Sequence, residues 1–555
     1  MEEVAAQPRA RWQTLVHKGV AFPPAYRPRG IAVSIRGRKV ALNADQEELV
    51  YAWAKKKDTH YVQDPVFQGN FLSDLKPMLP AEFKNSDLKI SDFDFTEAFR
   101  LADQEKVMKE REIERVKNLP REEKKKMAEA KKAERERLKA IYGKAIVDGQ
   151  EVEIANWLVE PPGLFMGRGQ HPLRGRWKPR VRPHDVTLNM GDDSHPEGQW
   201  KKIVHDHSST WLATWIEKLT DKRKYVWLHD SSELRQRNDR VKYDKALKLA
   251  QQLLKIEEEI VRKMKGSSDR PATVAYLIFK LAMRVGDEKD PDEADTVGAS
   301  TLRVEHIKFP QANGRDQIEF NFLGKDSVPW QKTLDIISDD TRALHDNLRN
   351  FMKGKKPDER IFGDINSRKV NEFFQTVMPG LTAKVFRTCI ATKVVQEALV
   401  NPPKRVDRNS TESEKVYVAK AANLKAAIEC NHKKGVDPKN PAARKAAEKF
   451  EQAVANRKQA IEDLEKEVAQ RNWKTEAQEK RMKERLEKLK VQLKLQQETR
   501  DYNLGTSLRN YIDPRVMKAW FNYVELDWTK VYTSTLQRKF KWVEAYKDKN
   551  YRLYF

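Results

Sequence analysis

The sequence predicts an α+β, multidomain chain, on three observations. Short β-type runs mixed with aromatics and prolines fill the first hundred residues, IAVSI at Ile31–Ile35 being one. Long amphipathic helical patterns dominate from Lys242 onward. A heptad seam then runs from Pro441 to about Arg500.

A chain of 555 residues can hold several domains with sizeable cores. Its 39% apolar and 34% charged residues suit a chain with long exposed helices, and no run has the uninterrupted apolar length that crosses a bilayer. The start, MEEV, has neither a signal-peptide apolar core nor the arginine-rich character of a transit peptide, so import into an organelle by such a leader is not expected. The formal charge of +24, from 107 basic and 83 acidic residues, repels itself unless a polyanion offsets it. Nucleic acid is the expected partner. No basic amphipathic anchor or lipidation signal points to a membrane. The two cysteines, Cys389 and Cys430, form no CxxC pair, which fits a reducing compartment and argues against a structural zinc.

Taken in order, the elements read as follows. From about Phe99 to Tyr142 the composition shifts to Lys, Arg, Glu and Ala, with a break at Leu119-Pro120: two charged helices form a projecting pair with a solvated face. From Glu160 to Arg182, in EPPGLFMGRGQHPLRGRWKPRVR, Gly and Pro impose an irregular backbone that displays arginines on loops. Guanidinium forks there suit phosphate or base edges, which they meet at two points. His205-Asp206-His207 lies between strand and turn patterns and reads as structural, not as a metal site. Thr210–Ile216 and Lys224–Asp230 read as strands, and the polar stretch Ser231–Arg240 as a hinge between lobes.

Amphipathic helices are expected at Leu247–Lys263 and Val274–Arg284. In IEFNFLGKDS, alternation of Ile318, Phe320 and Phe322 marks a strand, with Lys325 in the turn beyond it. Arg387 enters a helix after KVF, and His432 lies just past a helix spanning Ala421–Asn431. In the heptad segment, Ala443, Ala447, Phe450, Val454, Arg457, Ile461, Leu464 and Val468 alternate steps of four and three. Met482, Leu486, Leu489 and Leu493 repeat the pattern after a turn in QRNWKTEAQ. An antiparallel hairpin follows, its arms of about 30 residues reaching roughly 45 Å.

The chemistry gathers around LGTSLRNYIDPR, Leu504–Arg515, which sets Tyr511 among small, polar and basic residues. A lone tyrosine is usually a packing aromatic. Upstream, however, the chain carries RVG (Arg284), FLGKDS (Lys325), KVFRT (Arg387) and CNHKK (His432), three cations and a histidine suited to phosphodiester transfer. A phenol with an ordinary pKa near 10 must lose its proton to attack, and cations around it favour that loss. Arg284 and Arg387 have the charge and fork geometry to hold the non-bridging oxygens of a transition state, and His432 can add a hydrogen bond. Lys325 is the candidate general acid for the leaving sugar oxygen, since cations crowded about a lysine favour release of its proton.

Together with ADTVGASTLRVEHI (Ala294–Ile307), EPPGLFMGRGQHP (Glu160–Pro172) and LGTS..NY.DPR, these motifs stand in one order. In that order the chain resembles eukaryotic-type DNA topoisomerase I, the type IB family, from about Trp12 to its last residue. The resemblance implies a bilobed DNA clamp with a mainly helical, tyrosine-recombinase-like catalytic domain and an antiparallel coiled-coil linker. The implied division is 1–229 for the clamp lobe with its helical projection at 99–142, 230–437 for the catalytic core, 438–503 for the linker and 504–555 for the domain carrying the nucleophile. It implies ATP-independent relaxation of supercoiled DNA through a 3′-phosphotyrosyl intermediate on Tyr511, strand rotation and religation. Arg284, Lys325, Arg387 and His432 complete the implied catalytic set.

Arg168, Lys178, Asp326, Thr506 and Asn510 are the implied DNA-contacting residues. The partner is double-stranded DNA, contacted with little sequence preference by a monomer that encircles it. No cofactor or metal is expected: the chain has no GxxxxGK motif followed by Ser or Thr and no carboxylate cluster for a two-metal site. Nuclear localisation is expected from function alone, since the family's long charged N-terminal tail is missing from this sequence. The linker is either a lever that senses rotating DNA or a spacer bringing Tyr511 to its place.

Three departures from the family pattern are visible: Cys389-Ile390 after FRT, Leu508-Arg509 before Asn510, and Met166 in GLFMGRG. None falls on the five catalytic positions, but they bear on local DNA contacts and on sensitivity to interfacial poisons, whose family positions match Arg168, Asp326 and Asn510. A site-specific tyrosine recombinase would use a similar set of residues, but would predict neither the long coiled coil nor EPPGLF. A non-enzymatic architectural DNA-binding protein would account for the charge and the helices, but not for the ordered cation motifs.

Overall fold

The computed structural model describes residues 10–84, 86–167, 170–194, 196–267, 269–287, 297–312, 314–435, 441–470 and 475–554. The chain divides into two compact units, one ending at Arg235 and the other beginning at Gln236.

Two cores form in the first unit. One lies between strands Ala32–Ile35, Arg38–Ala41 and Phe93–Asp94 and helices Ala44–Ala54, Pro65–Leu75 and Thr96–Asn118. The alternation in IAVSI buries Ile31, Val33 and Ile35, as a two-residue period requires. Trp53 stacks on Phe71 at 4.3 Å between ring centroids and also meets Phe67 and Phe95. The other core joins the sheet Leu15–His17, Lys144–Val147 and Gln150–Glu153 to a second sheet of Lys202–Val204, Thr187–Asn189, Trp211–Ile216 and Arg223–Trp227. The charged segment forms the helices Thr96–Asn118 and Arg121–Tyr142, interrupted at Leu119-Pro120, and its side chains past Ala102 are mostly exposed. His205 and His207 meet the carbonyls of Met190 and Trp12, and no cluster of three metal-ligating groups occurs among the described residues.

Among its described residues, the segment 160–182 is irregular apart from the paired strands Gly163–Leu164 and Trp177–Lys178. Its arginines are less displayed than composition suggests. Arg174 pairs with Asp64, Arg176 with Asp74 and Arg180 with Glu48, so carboxylates from elsewhere in the unit use three of them to fix the loop. Composition counts charges but does not show which are already paired.

The second unit is mainly helical. The polar stretch Ser231–Arg240, expected as a hinge, contains the boundary between the units, at Arg235/Gln236, but from Glu233 it is part of the helix Glu233–Gln251. The single helix expected at Leu247–Lys263 is two, Glu233–Gln251 and Leu253–Ser267. The break at Gln252 carries no Gly or Pro, so nothing in the local sequence marks it. The helix expected to reach Arg284 spans Arg270–Leu281 and ends on Ala282, whose φ of 52° is left-handed. Arg284 therefore lies on an irregular strap rather than on the helix.

One hydrophobic core runs through this unit from Tyr243 to Tyr554 and includes Tyr511, Ile512, Val516 and Trp520. Helix Ala383–Val400 is its central post, burying Phe386, Cys389, Val395 and Leu399 on several faces. A fully buried aromatic or aliphatic side chain of this kind stabilises by about 1.5–3 kcal/mol. Strands Arg315–Gly324 and Val328–Asp335 form an antiparallel hairpin, with Lys325–Ser327 as its turn.

Helices Pro441–Ala469 and Glu476–Glu498 pack antiparallel through Ile461, Leu464 and Leu486, flanked by Val468, Met482, Leu489 and Leu493. Lys490 reaches Glu465 at 2.8 Å and Arg500 reaches Glu451 at 3.1 Å. The expected seam weakens towards its base, where Ala447 is exposed. There Val491 and Leu495 turn to the main core instead. The expected turn falls largely on residues outside those described. No helix among the described residues is long and apolar enough to cross a membrane.

Candidate active site

Four of the residues singled out in the sequence meet at one point, each delivered by a different local device. Arg284 rides on the strap after helix Arg270–Leu281. Gly286 and Gly298 let this strap lie backbone to backbone against the next segment, so that Ala299 N–H donates to Arg284 O at 2.9 Å and Ser300 N–H to Val285 O at 2.7 Å. Arg387 projects from the first turns of Ala383–Val400, whose start is capped by the Thr382 hydroxyl. His432 follows helix Glu412–Glu429, which opens with a Thr411/Glu414 capping box. Asn431 takes a left-handed φ of 51°, and His432 N–H turns back to Ala427 O at 2.8 Å. Tyr511 ends the short helix Leu504–Asn510.

The Tyr511 hydroxyl accepts from Arg387 Nη1 at 3.0 Å and from Arg284 Nη1 at 3.2 Å. Arg387 Nη2 donates to Cys430 O at 2.9 Å, and its guanidinium carbon lies 4.6 Å from the centre of the Tyr511 ring. The His432 ring stacks beside that of Tyr511 with centroids 5.1 Å apart, while its Nδ1 meets Ser507 Oγ at 2.7 Å. Tyr511, Arg387 and His432 are all buried.

Electrostatics follow from this geometry. Burial opposes ionisation of the Tyr511 phenol, but the charges of Arg387 and Arg284 outweigh it and hold its pKa below the ordinary value for tyrosine. Burial, and then the same two arginines, bring the His432 imidazole down to about 3, so it is neutral at pH 7. Burial and the neighbouring Arg387 also lower the pKa of Arg284. Among the described residues neither guanidinium has a carboxylate partner, and Arg387 Nε and His432 Nε2 are buried without any hydrogen bond. Such a pocket favours phenolate, and the Arg387 Nε–H is a donor left over for an incoming anion.

Three family models cover most of the chain. They are the eukaryotic DNA topoisomerase I DNA binding fragment at residues 10–228, the catalytic core of the same enzymes at 231–468, and a C-terminal topoisomerase domain at 483–553. DNA topoisomerase 1 of Homo sapiens is 33% identical over 98% of this chain and 72% of its own length. The chain belongs to the eukaryotic DNA topoisomerase I family. DNA topoisomerase 1 of Caenorhabditis elegans is 36% identical over 96% of the chain, and that of Drosophila melanogaster 36% over 99%. The chain spans 66% and 56% of the length of these two relatives.

The family resemblance singled out six further residues. Lys325 is exposed in the hairpin turn, and no contact between it and Tyr511 is found among the described residues. Asp326 shares that turn. Lys178 is held in the first unit by Glu160 and, at 3.1 Å, by Glu217. Arg168 lies outside the described residues. Thr506 and Asn510 share the tyrosine's helix, where Asn510 Nδ2 donates to Thr506 O at 3.1 Å.

Sequence reading missed the residues that hold the tyrosine's backbone. Thr392 Oγ1 lies 3.2 Å from Tyr511 O and accepts from Asp513 N–H at 3.0 Å. The fully buried Asp513 carboxylate is held by Arg515 and by the Tyr554 hydroxyl at 2.9 Å. Lys242, which burial brings down to about 8, donates to Asn510 O at 3.2 Å. Only Ser507 had a readable signal, since four residues before Tyr511 places it on the same helical face.

Proposed function

We propose that this chain relaxes supercoiled DNA without a nucleotide cofactor, by transient cleavage of one strand through Tyr511. The phenolate oxygen attacks the scissile phosphorus and forms a tyrosyl O–P bond. The bond from phosphorus to the 5′ oxygen breaks, its electron pair stays on that oxygen, and Lys325 supplies the proton. Arg284, Arg387 and neutral His432 donate hydrogen bonds to the non-bridging oxygens, where charge accumulates. The phosphotyrosine retains the energy of the broken bond, so the 5′ hydroxyl can reverse the step once the free end has turned about the intact strand.

In this reading residues 1–229, with the projection at 99–142, form a clamp lobe and 230–437 a recombinase-like catalytic domain. Residues 438–503 form a coiled-coil linker, and 504–555 carry the nucleophile. A monomer encircles double-stranded DNA, with Arg168, Lys178, Asp326, Thr506 and Asn510 as further contacts, mostly to the backbone and therefore strongly salt-sensitive. The nucleus is the compartment that this role requires. Lys325, exposed on a hairpin turn, is free to reach the 5′ oxygen when DNA is bound.

The observation that carries the reading is the pair of guanidinium groups sharing the Tyr511 hydroxyl. The test is relaxation of a supercoiled plasmid lacking any defined target site, in EDTA and without ATP, by wild type and Tyr511→Phe. Wild type alone should relax it, and denaturant should trap it on the 3′ end of a nick. Relaxation by both proteins, or by neither, removes the assignment; dependence on a specific target sequence would favour a recombinase.

A further inference from the structure

Helix Leu504–Asn510 carries more than the nucleophile. One turn before Tyr511, Ser507 is fully buried with its Oγ 2.7 Å from His432 Nδ1, and no other hydrogen bond of this hydroxyl is found among the described residues. The same helix start fixes the histidine backbone, with Asn503 N–H donating to His432 O at 2.8 Å. The opposite ring nitrogen, Nε2, is buried and has no hydrogen-bond partner among the described residues.

A neutral imidazole has one N–H, and the hydrogen bond at one nitrogen decides which nitrogen carries it. If Ser507 donates to Nδ1, the proton sits on Nε2 and the unpartnered atom is a donor. If Nδ1 donates to Ser507, Nε2 is a bare lone pair, which would repel a phosphate oxygen. We infer that Ser507 is a positioning residue that donates to His432 Nδ1 and so presents Nε2–H to a non-bridging oxygen of the scissile phosphate. This rests on the phosphotyrosyl reading above. Nucleophile and tautomer lock then share one helix at a spacing of four residues, so docking that helix sets both at once.

The assignment can be checked on the full chain without DNA. Nitrogen NMR of ¹⁵N-histidine-labelled protein, with the His432 signal identified by its loss in His432→Gln, should show Nε2 protonated and Nδ1 bare. In Ser507→Ala the two tautomers should mix. In single-turnover cleavage of a nicked duplex, Ser507→Ala should lose about tenfold, the worth of one good hydrogen bond. Ser507→Thr, which keeps the hydroxyl, should recover most of it. The loss should vanish when Ser507→Ala is made in the His432→Gln background, because a residue acting through the histidine has nothing left to act on.

A proton on Nδ1 in the wild type, or an equal loss in both backgrounds, overturns the inference. Failure of the wild type to relax DNA would strike the proposed function instead, and would leave the NMR result to stand or fall alone.

Discussion

Gly298→Ala tests whether the placement of Arg284 depends on two glycines lying backbone to backbone. Gly298 has an extended backbone, φ −137°, which alanine adopts without strain, so the substitution introduces only a methyl group. That methyl would lie 2.5 Å from both Cα and N of Gly286 and 2.9 Å from Arg284 O. Carbon atoms pack at about 3.5–4.0 Å, so the strap must retreat by roughly 1 Å. The bonds of Ala299 to Arg284 O and Ser300 to Val285 O, now 2.9 and 2.7 Å, would stretch. The Arg284–Tyr511 contact, already 3.2 Å, has no slack. Overpacking of this kind costs about 1–3 kcal/mol of stability, and a 1 Å misplacement of a reacting group costs on the order of a hundredfold in rate. Single-turnover formation of the covalent adduct, measured below the melting point of both proteins, reads the rate, and thermal melting reads the stability. A folded Gly298→Ala protein that cleaves at the wild-type rate would refute the reasoning.

Three more outcomes follow from the same geometry. Arg387→Gln removes the charge that does more of the two to lower the Tyr511 pKa, so the basic rise of the cleavage rate should move to higher pH; an unmoved profile would detach the phenol from the arginine. His432 has a folded pKa of about 3 against about 6.5 unfolded, so in that window the unfolded chain binds the extra proton. Its contribution is fully present above pH 6.5 and is lost as pH falls towards 3, at up to about 1.4 kcal/mol per pH unit. Urea melts at pH 7 and 5 should show this slope reduced in His432→Gln. Leu464→Asp puts a charge between Ile461 and Leu486. It should speed tryptic cleavage within 441–498 by at least about tenfold through local opening, while Tyr511 still forms its adduct on a nicked duplex.

The sequence was legible where local rules and global packing agree. The hairpin 315–335 and the helix breaks at Leu119-Pro120 follow from alternation and proline chemistry alone. The end of helix Arg270–Leu281 does not, because Ala282 takes a left-handed turn that no residue type announces, and Arg284 was therefore assigned to the wrong kind of element. At the site, Arg284, Arg387, His432 and Tyr511 were legible as a set because their motifs stand in family order. Their supports were not. Thr392 and Asp513 are joined across 121 residues by backbone-to-hydroxyl bonds, which leave no periodic trace. The arginine loop misled in the opposite sense, since Asp64, Asp74 and Glu48 lie far from it in sequence and close in space.

Why the two arginines beside Tyr511 lack carboxylate partners among the described residues can be argued from their cost. Burial, and then the like charge of Arg387 nearby, lower the pKa of Arg284, and a carboxylate between the two guanidinium groups would offset that. The nearest acid along the chain from Tyr511 is Asp513, and Arg515 and Tyr554 occupy it. The pocket is thus kept positive and short of acceptors, which destabilises the free protein and favours any tetrahedral oxyanion that enters. Sulfate should therefore bind in place of the scissile phosphate and stabilise the fold, by about 2.7 kcal/mol at a hundred times its Kd. Melting curves in sulfate and chloride at equal ionic strength read the effect. Because sulfate also stabilises proteins generally, the decisive quantity is the difference between wild type and Arg387→Gln. A larger shift in the wild type supports a pocket built to receive an anion, whereas equal shifts would mean that the arginines answer only to the tyrosine.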